Sequence, residues 1–289
     1  MQLTKLAPEL VEAILIHCNP IDVARMAQSN SHLRSVVYSS EPSRLWRELY
    51  LAEDIDDPRI CVAQDGTPRT SRIDWRTELQ RIIRMRTVIE NWGALKPGEL
   101  KVILQVLLDF IQCVRPRTPA NIWDPSKLSS TLLWLMTGLG GGFLDWVEAQ
   151  KLSPLERQAV AQLHTHFGLT KNDIRRPSVV RSLALVYEQK RYTEQTQYGP
   201  FLTTGAVDWE LVRAIHHVIS MHVAPGDLED DENFSYLVYQ MSLLTTQIVI
   251  PEGVDLDTEE DWAGVDGNWE LSWCICVSDN DIELSEPLP

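Results

Sequence analysis

The first fifty residues show four short apolar stripes at helical spacing. Leu10, Val11, Ile14 and Leu15 fall at i, i+1, i+4 and i+5, one face of a helix, with Glu9 and Glu12 turned towards water. Pro8 sits in the first turn, where a helix tolerates proline. Asn19-Pro20 ends that helix, because proline disfavours helical geometry in the residue before it. Asp22 is placed to cap or start a second helix carrying Val23, Met26 and Ala27. Leu33, Val36 and Val37 mark a third, and Leu45, Trp46, Leu49 and Tyr50 share one face of a fourth. So few residues build a core that is marginal by itself, and apolar surface in excess of it is a patch that free monomers rarely tolerate.

Residues 52–73 are rich in Asp, Pro, Gly and Thr and read as a linker separating this segment from the rest of the chain. Beyond it, Trp75, Leu79, Ile82, Ile83, Val88, Ile89 and Trp92 recur near the 3.6 period. Arg76, Arg81, Arg84 and Arg86 lie between them, and such residues are more often a solvated helix face than a basic stripe for an acidic ligand. Further helices are predicted over 99–114 and 128–139. Ser153-Pro154-Leu155-Glu156 is a capping box that launches another to about residue 167. Two more are predicted near 178–191 and 208–222. At the far end Trp269, Leu271, Trp273, Ile275 and Val277 alternate with smaller or polar residues, the pattern of a half-buried strand. Its backbone needs a neighbour, for which 245–250 is a candidate. The predicted class is therefore mainly α, with a four-helix N-terminal hook over 1–51, a linker over 52–73 and a helical body over 74–226. An acidic segment over 227–289 holds a small β element near 269–277.

Composition agrees with a globular chain: 289 residues, 44% hydrophobic and 23% charged. No apolar run approaches the roughly 18 residues that span a bilayer, so a membrane partner is not expected. The first twenty residues lack a basic region followed by an apolar core, and the five cysteines at 18, 61, 113, 274 and 276 do not form a disulfide framework. The expected compartment is cytosolic or nuclear. Charge alters the picture more. The whole chain has a net charge of -15, and from Asp227 onward there are 17 acidic residues and no Lys or Arg, leaving 24 acidic against 26 basic in the rest. A field of that sign repels phosphate backbones, so nucleic acid is not an expected partner. The acidic segment reads as a solvated tail in preference to a dock for a basic partner.

Candidate chemistry is sparse. Gly138-Leu139-Gly140-Gly141-Gly142 comes after no clear strand and lacks the Lys-Ser/Thr of a phosphate loop, so it reads as a helix stop and turn. His164, His166, His216, His217 and His222 show no HExxH or paired-cysteine spacing for a metal. Cys274-x-Cys276 alternates along the predicted strand and is not a redox CxxC. There is no GxSxG and no nucleophile with a placed base, so neither catalysis nor a cofactor is expected.

The N-terminal residues carry a resemblance that spacing alone does not supply. LAPELVEAIL at 6–15, NPIDVARMAQSNSHLRSVV at 19–37 and SRLWRELYL at 43–51 together resemble an F-box, the helical hook that binds the Skp-type adaptor of Skp-cullin-F-box ubiquitin ligases. Tyr198-Gly199-Pro200-Phe201 followed by Val207-Asp208-Trp209, and then the stretch from Asp261 to Trp269, resemble elements that come after the F-box in a group of fungal F-box proteins. The resemblance implies that Leu6, Pro8, Leu10, Ile14 and Leu15 meet the adaptor, that Val23 and Leu33 support the hook and that Trp46 closes it. It further implies a non-catalytic substrate receptor that joins the adaptor and cullin complex and holds a protein target of unknown identity. Two other classes stay open: an interaction or scaffold protein that uses the hook outside any ligase, and an enzyme whose site motif reading does not reveal.

Overall fold

Proline and asparagine set the first helix boundaries. The computed structural model describes residues 5–38, 44–69, 72–117, 127–223, 243 and 245–249. Helix α1, Pro8–Leu15, starts on its proline and turns Val11 and Leu15 inward. Helix α2, Pro20–Ser29, also starts on proline, and its cap is Asn19, whose side chain accepts from the Ile21 N–H. Asp22, predicted to cap or start this helix, lies in its first turn and pairs with Arg25 at 3.0 Å. Asn30 closes α2 and opens α3, Ser31–Val37, by accepting from the backbones of His32 and Leu33. Helix α4, Arg44–Leu51, buries Leu45, Trp46, Leu49 and Tyr50.

The remainder is also mainly helical, with one small antiparallel sheet among the described residues. Strand β1, Val62–Ala63, precedes α5, Trp75–Glu90, and α6, Leu100–Gln112. Strand β2, Cys113–Val114, comes directly after α6, with Val62 opposite Val114 and Ala63 opposite Cys113. Then come α7, Ser130–Gly138, α8, Leu144–Glu148, α9, Pro154–Phe167, α10, Arg176–Val186, and α11, Trp209–Val223. The Ser153–Glu156 capping box forms as its spacing predicts. Helix α6 is apolar on most of its circumference and buries seven residues, so it lies inside the larger core, packed by α5, α7 and α9. The α9, α11 and α10 helices pack in series on its far side. The glycine-rich turn at 138–142 becomes a π-helical joint over Leu139–Phe143, with φ of 92° at Gly142, which glycine adopts without strain. It delivers Phe143, fully buried, into the core.

Residues 52–69 do not act as the separator that their composition predicts. Asp56 is 7% exposed: its carboxylate accepts from Ser129 Oγ and from the Ser130 N–H at 3.0 Å, and its own N–H donates to Thr131 Oγ1 at 2.9 Å. It thus ties this stretch to the first turn of α7, where N–H groups lack helical acceptors. Arg86 pairs with Glu53 at 2.6 Å, and Tyr50 meets Trp75 edge to face at 5.4 Å. Most decisively, Leu79 and Ile82 of α5 belong to the same core cluster as Val11, Leu15, Val23 and Leu45. The N-terminal helices and α5 are therefore one packed unit. The arginines of α5 are bridges: Arg81 pairs with Asp109 of α6, Arg84 with Glu99, and Arg76 lies over the Tyr38 ring.

Helix α10 ends at Val186, and a 3-10 turn over Gln189–Arg191 completes the span predicted as helix to 191. The strand predicted over 269–277, its acidic flanks and the aromatic stretch from Asp261 lie outside the described residues. Of the candidate pairing segment 245–250, Gln247 is fully buried: its side chain accepts from the Ser129 N–H at 3.1 Å and donates to the carbonyls of Arg115 and Lys127.

Asp56→Ala leaves buried donors at the start of α7 without an acceptor and should cost about 2–4 kcal/mol in urea unfolding. Asp22→Ala, which removes an exposed pair, should stay within about 0.5 kcal/mol of the parent.

Candidate functional site

The residues singled out at the N-terminus separate into two groups. Leu10 is 55% and Ile14 43% exposed, one helical turn apart on the outer side of α1, and Pro8 is also exposed. Ile21 at the start of α2 is 40% exposed, and Leu6 is half-buried against the core. Val23, Leu33 and Trp46 are interior, in the N-terminal core. Trp46 Nε1 donates to the Val37 carbonyl at 2.9 Å, and its ring leans on Tyr38. Leu15 corrects the expectation: with no exposed surface, it faces the core and not a partner. The apolar stripe of α1 has two edges, and the one that carries Val11 and Leu15 packs on α3 and α4 in a core that Leu79 and Ile82 of α5 share.

Glu12, predicted to face water, has a structural task. Its carboxylate accepts from the Leu45 N–H at 2.7 Å, at the start of α4, where the helix dipole favours an anion. This bond fixes the rotation of α1 about its axis. Leu10 and Ile14 are consequently held outward while Val11 and Leu15 are held inward.

A second constellation lies between α8, α9, α10 and α11, around a cavity of about 250 Å³. His164, 2% exposed, sits in the apolar stripe of α9 among Val160, Leu163 and Phe167. Its Nδ1 is 2.9 Å from Glu148 Oε1 and its Nε2 is 2.7 Å from Asp173 Oδ2. Arg213 of α11 pairs with both carboxylates, and the Thr170 N–H donates to Asp173 at 2.8 Å. With a carboxylate on each ring nitrogen, both nitrogens act as donors and the ring is an imidazolium. Burial and Arg213 push its pKa down, but the bonds to Asp173 and Glu148 outweigh them and hold it above its ordinary value. Burial pushes both carboxyls up, yet His164 and Arg213 hold them below the usual range. Two cations thus offset two anions, with His164 and Asp173 buried and Glu148 and Arg213 partly exposed on the cavity.

On the same cavity, Ser182 of α10 and His217 of α11 meet at 2.7 Å between Oγ and Nδ1. His217 Nε2 lies 3.0 Å from the backbone carbonyl oxygen of Asp173. Arg157, Arg181 and Glu210 complete the charged lining. Motif reading missed this group because its members come from five segments. The signal in the sequence was local: a histidine set in an apolar helical stripe, and Arg213 and His217 one turn apart on α11. Among the described residues, no group of three or more His, Cys, Asp or Glu is arranged to hold a metal, and no helix is long and apolar enough to cross a membrane.

No family model, curated protein or solved structure matches the chain.

The buried network fixes how stability varies with pH. Because the folded-state pKa of His164 is raised above 6.5, its contribution is complete below that value and is lost as pH rises through the folded pKa. Glu148 and Asp173 are lowered, so their contributions are present above 4.5 and 3.8 and are lost as pH falls through the folded values. The neighbouring His166, His216 and His217 are pushed down by burial and titrate below 6.5. As pH rises above 6.5, urea unfolding of the parent should therefore show declining stability. His164→Gln should cost about 3–5 kcal/mol near pH 6.5 and flatten the decline.

Proposed function

We propose that the chain is an F-box-type substrate receptor whose α1 outer face docks on the Skp-type adaptor of a Skp-cullin-F-box ubiquitin ligase, in the cytosol or nucleus. One observation carries the reading. Leu10 and Ile14 are large, apolar and exposed on a helix whose opposite face is buried and whose rotation is fixed by Glu12. Such a pre-set ridge suits insertion into an apolar groove, since little ordering entropy remains to be lost on binding. The core shared with α5 supports the second half of the reading, because a target held by the body would be carried at a set distance from the adaptor. The receptor would make no covalent bond in this role. It would raise the effective concentration of a target lysine near the ligase's conjugating enzyme.

An interaction protein that uses the same face outside a ligase would retain the adaptor and lack the cullin. Co-purification of the intact chain with its partners separates the two.

Leu10→Ala with Ile14→Ala should leave thermal stability nearly unchanged, because both side chains are exposed. Against purified Skp-type adaptor, each should lose ~2 kcal/mol, roughly thirtyfold in affinity apiece by calorimetry. Leu15→Ala should instead destabilise the fold by about 2–5 kcal/mol. Unchanged affinity in the Leu10, Ile14 double variant would remove α1 from the interface.

A further inference from the structure

We propose that Ser182 and His217 form a nucleophile and base that cleave a small ester held in the cavity between α9, α10 and α11. The inference is independent of the N-terminal face. A serine in a helix interior commonly bonds back to a carbonyl of the preceding turn. Ser182 reaches across to a different helix instead, at 2.7 Å from His217 Nδ1. The partner of His217 Nε2 is a backbone carbonyl, at 3.0 Å, which can only accept. Nε2 therefore carries the proton, Nδ1 presents a lone pair, and the Ser182 hydroxyl is the donor. That is the relation a serine nucleophile needs with its base.

The third requirement, a group that holds the base in place, is also met. The carbonyl that orients His217 belongs to Asp173, whose side chain is fixed by His164, Arg213 and Thr170. The ion network thus positions the tautomer without touching Ser182. Burial keeps the His217 pKa below its ordinary value, the effects of Asp173 opposing and those of Arg213 and His164 adding, so the ring is a neutral base near pH 7.

The cavity indicates the substrate class. Leu152, Val160, Ala161 and Leu185 supply apolar wall, and about 250 Å³ admits a short acyl chain but not a peptide. Arg181 lines the same cavity beside Ser182, and among the described residues it has no ion pair or hydrogen bond. It is the group free to oppose charge on a tetrahedral oxygen. In the first half-reaction Ser182 Oγ bonds to the acyl carbon while its proton passes to His217 Nδ1. The bond from carbon to the alcohol oxygen then breaks, and the alcohol leaves with that proton. In the second, Nδ1 takes a proton from water as the water oxygen attacks the acyl carbon. The bond to Ser182 breaks, the carboxylic acid departs and Ser182 regains its proton.

The test uses the intact chain, a fluorophosphonate probe and 4-nitrophenyl butyrate, with the labelled residue located by peptide mass mapping. Phosphonylation at Ser182 is expected, with its rate rising through a pKa below 6.5 and level at neutral pH, as neutral His217 requires. Ser182→Ala should abolish labelling and ester turnover, and His217→Gln should slow both by about a hundredfold or more. The pH profile of the unaltered chain decides the matter even if His217→Gln does not fold. Absence of label on Ser182, a labelling rate that only climbs with hydroxide, or equal rates in a folded His217→Gln variant would each overturn the assignment.

Discussion

The N-terminal core needs α5. Val11 and Leu15 are covered by α3 and α4, but the cluster is complete only when Leu79 and Ile82 close it. A four-helix segment of this size has too little apolar interior to stand alone, and here it does not have to. Because the closing residues lie in the first turns of a 16-residue helix that also packs on α6, the first core continues into the second, and Phe110 touches both. The outward set of Leu10 and Ile14 results from this closure together with the Glu12 bond. An outward-set ridge joined to the body through a shared core is the property that a receptor working by proximity would require.

The second half of the molecule depends on charge where the first depends on apolar closure. Helices α8, α9 and α11 and the turn at Asp173 converge on four ionised groups, of which His164 and Asp173 are buried. Such an arrangement contributes little net stability relative to apolar packing, and losing one member is costly. Its value lies in position: it fixes the Asp173 backbone and so the tautomer of His217, and it sets the walls of the cavity. Structural demand and chemical opportunity therefore meet at one cavity, with His164 on the structural side and Ser182 on the chemical one.

Helices were readable where their signals are local. The proline starts at 8 and 154, the Ser153 box and the apolar periods of α5 and α6 all lie within a few residues of the bonds they predict. The cap of α2 was misplaced because Asn19 reads as part of a helix stop when Pro20 comes next, although the same pair opens the next helix. Leu15 could not be told from Leu10 or Ile14, since a stripe at i, i+1, i+4 and i+5 has two edges and packing on α3 and α4 chooses between them. The Asp-rich stretch after α4 read as a linker because its composition is polar. Asp56 finds its partners at Ser129 and Ser130, and no local pattern announces that. The ion network was hidden for the same reason, its members standing at 148, 164, 173 and 213.

The central claim is that α1 presents a pre-set outer face on a body that does not rearrange when that face is covered. Amide hydrogen exchange of the intact chain, read by mass spectrometry with and without purified Skp-type adaptor, tests it most directly. Slowed exchange in peptides spanning residues 5–16, with α9 and α11 unchanged, is the predicted result. Exchange in α1 that is indifferent to saturating adaptor would contradict the account, and so would protection that spreads through α9 and α11 as a rearranging body requires.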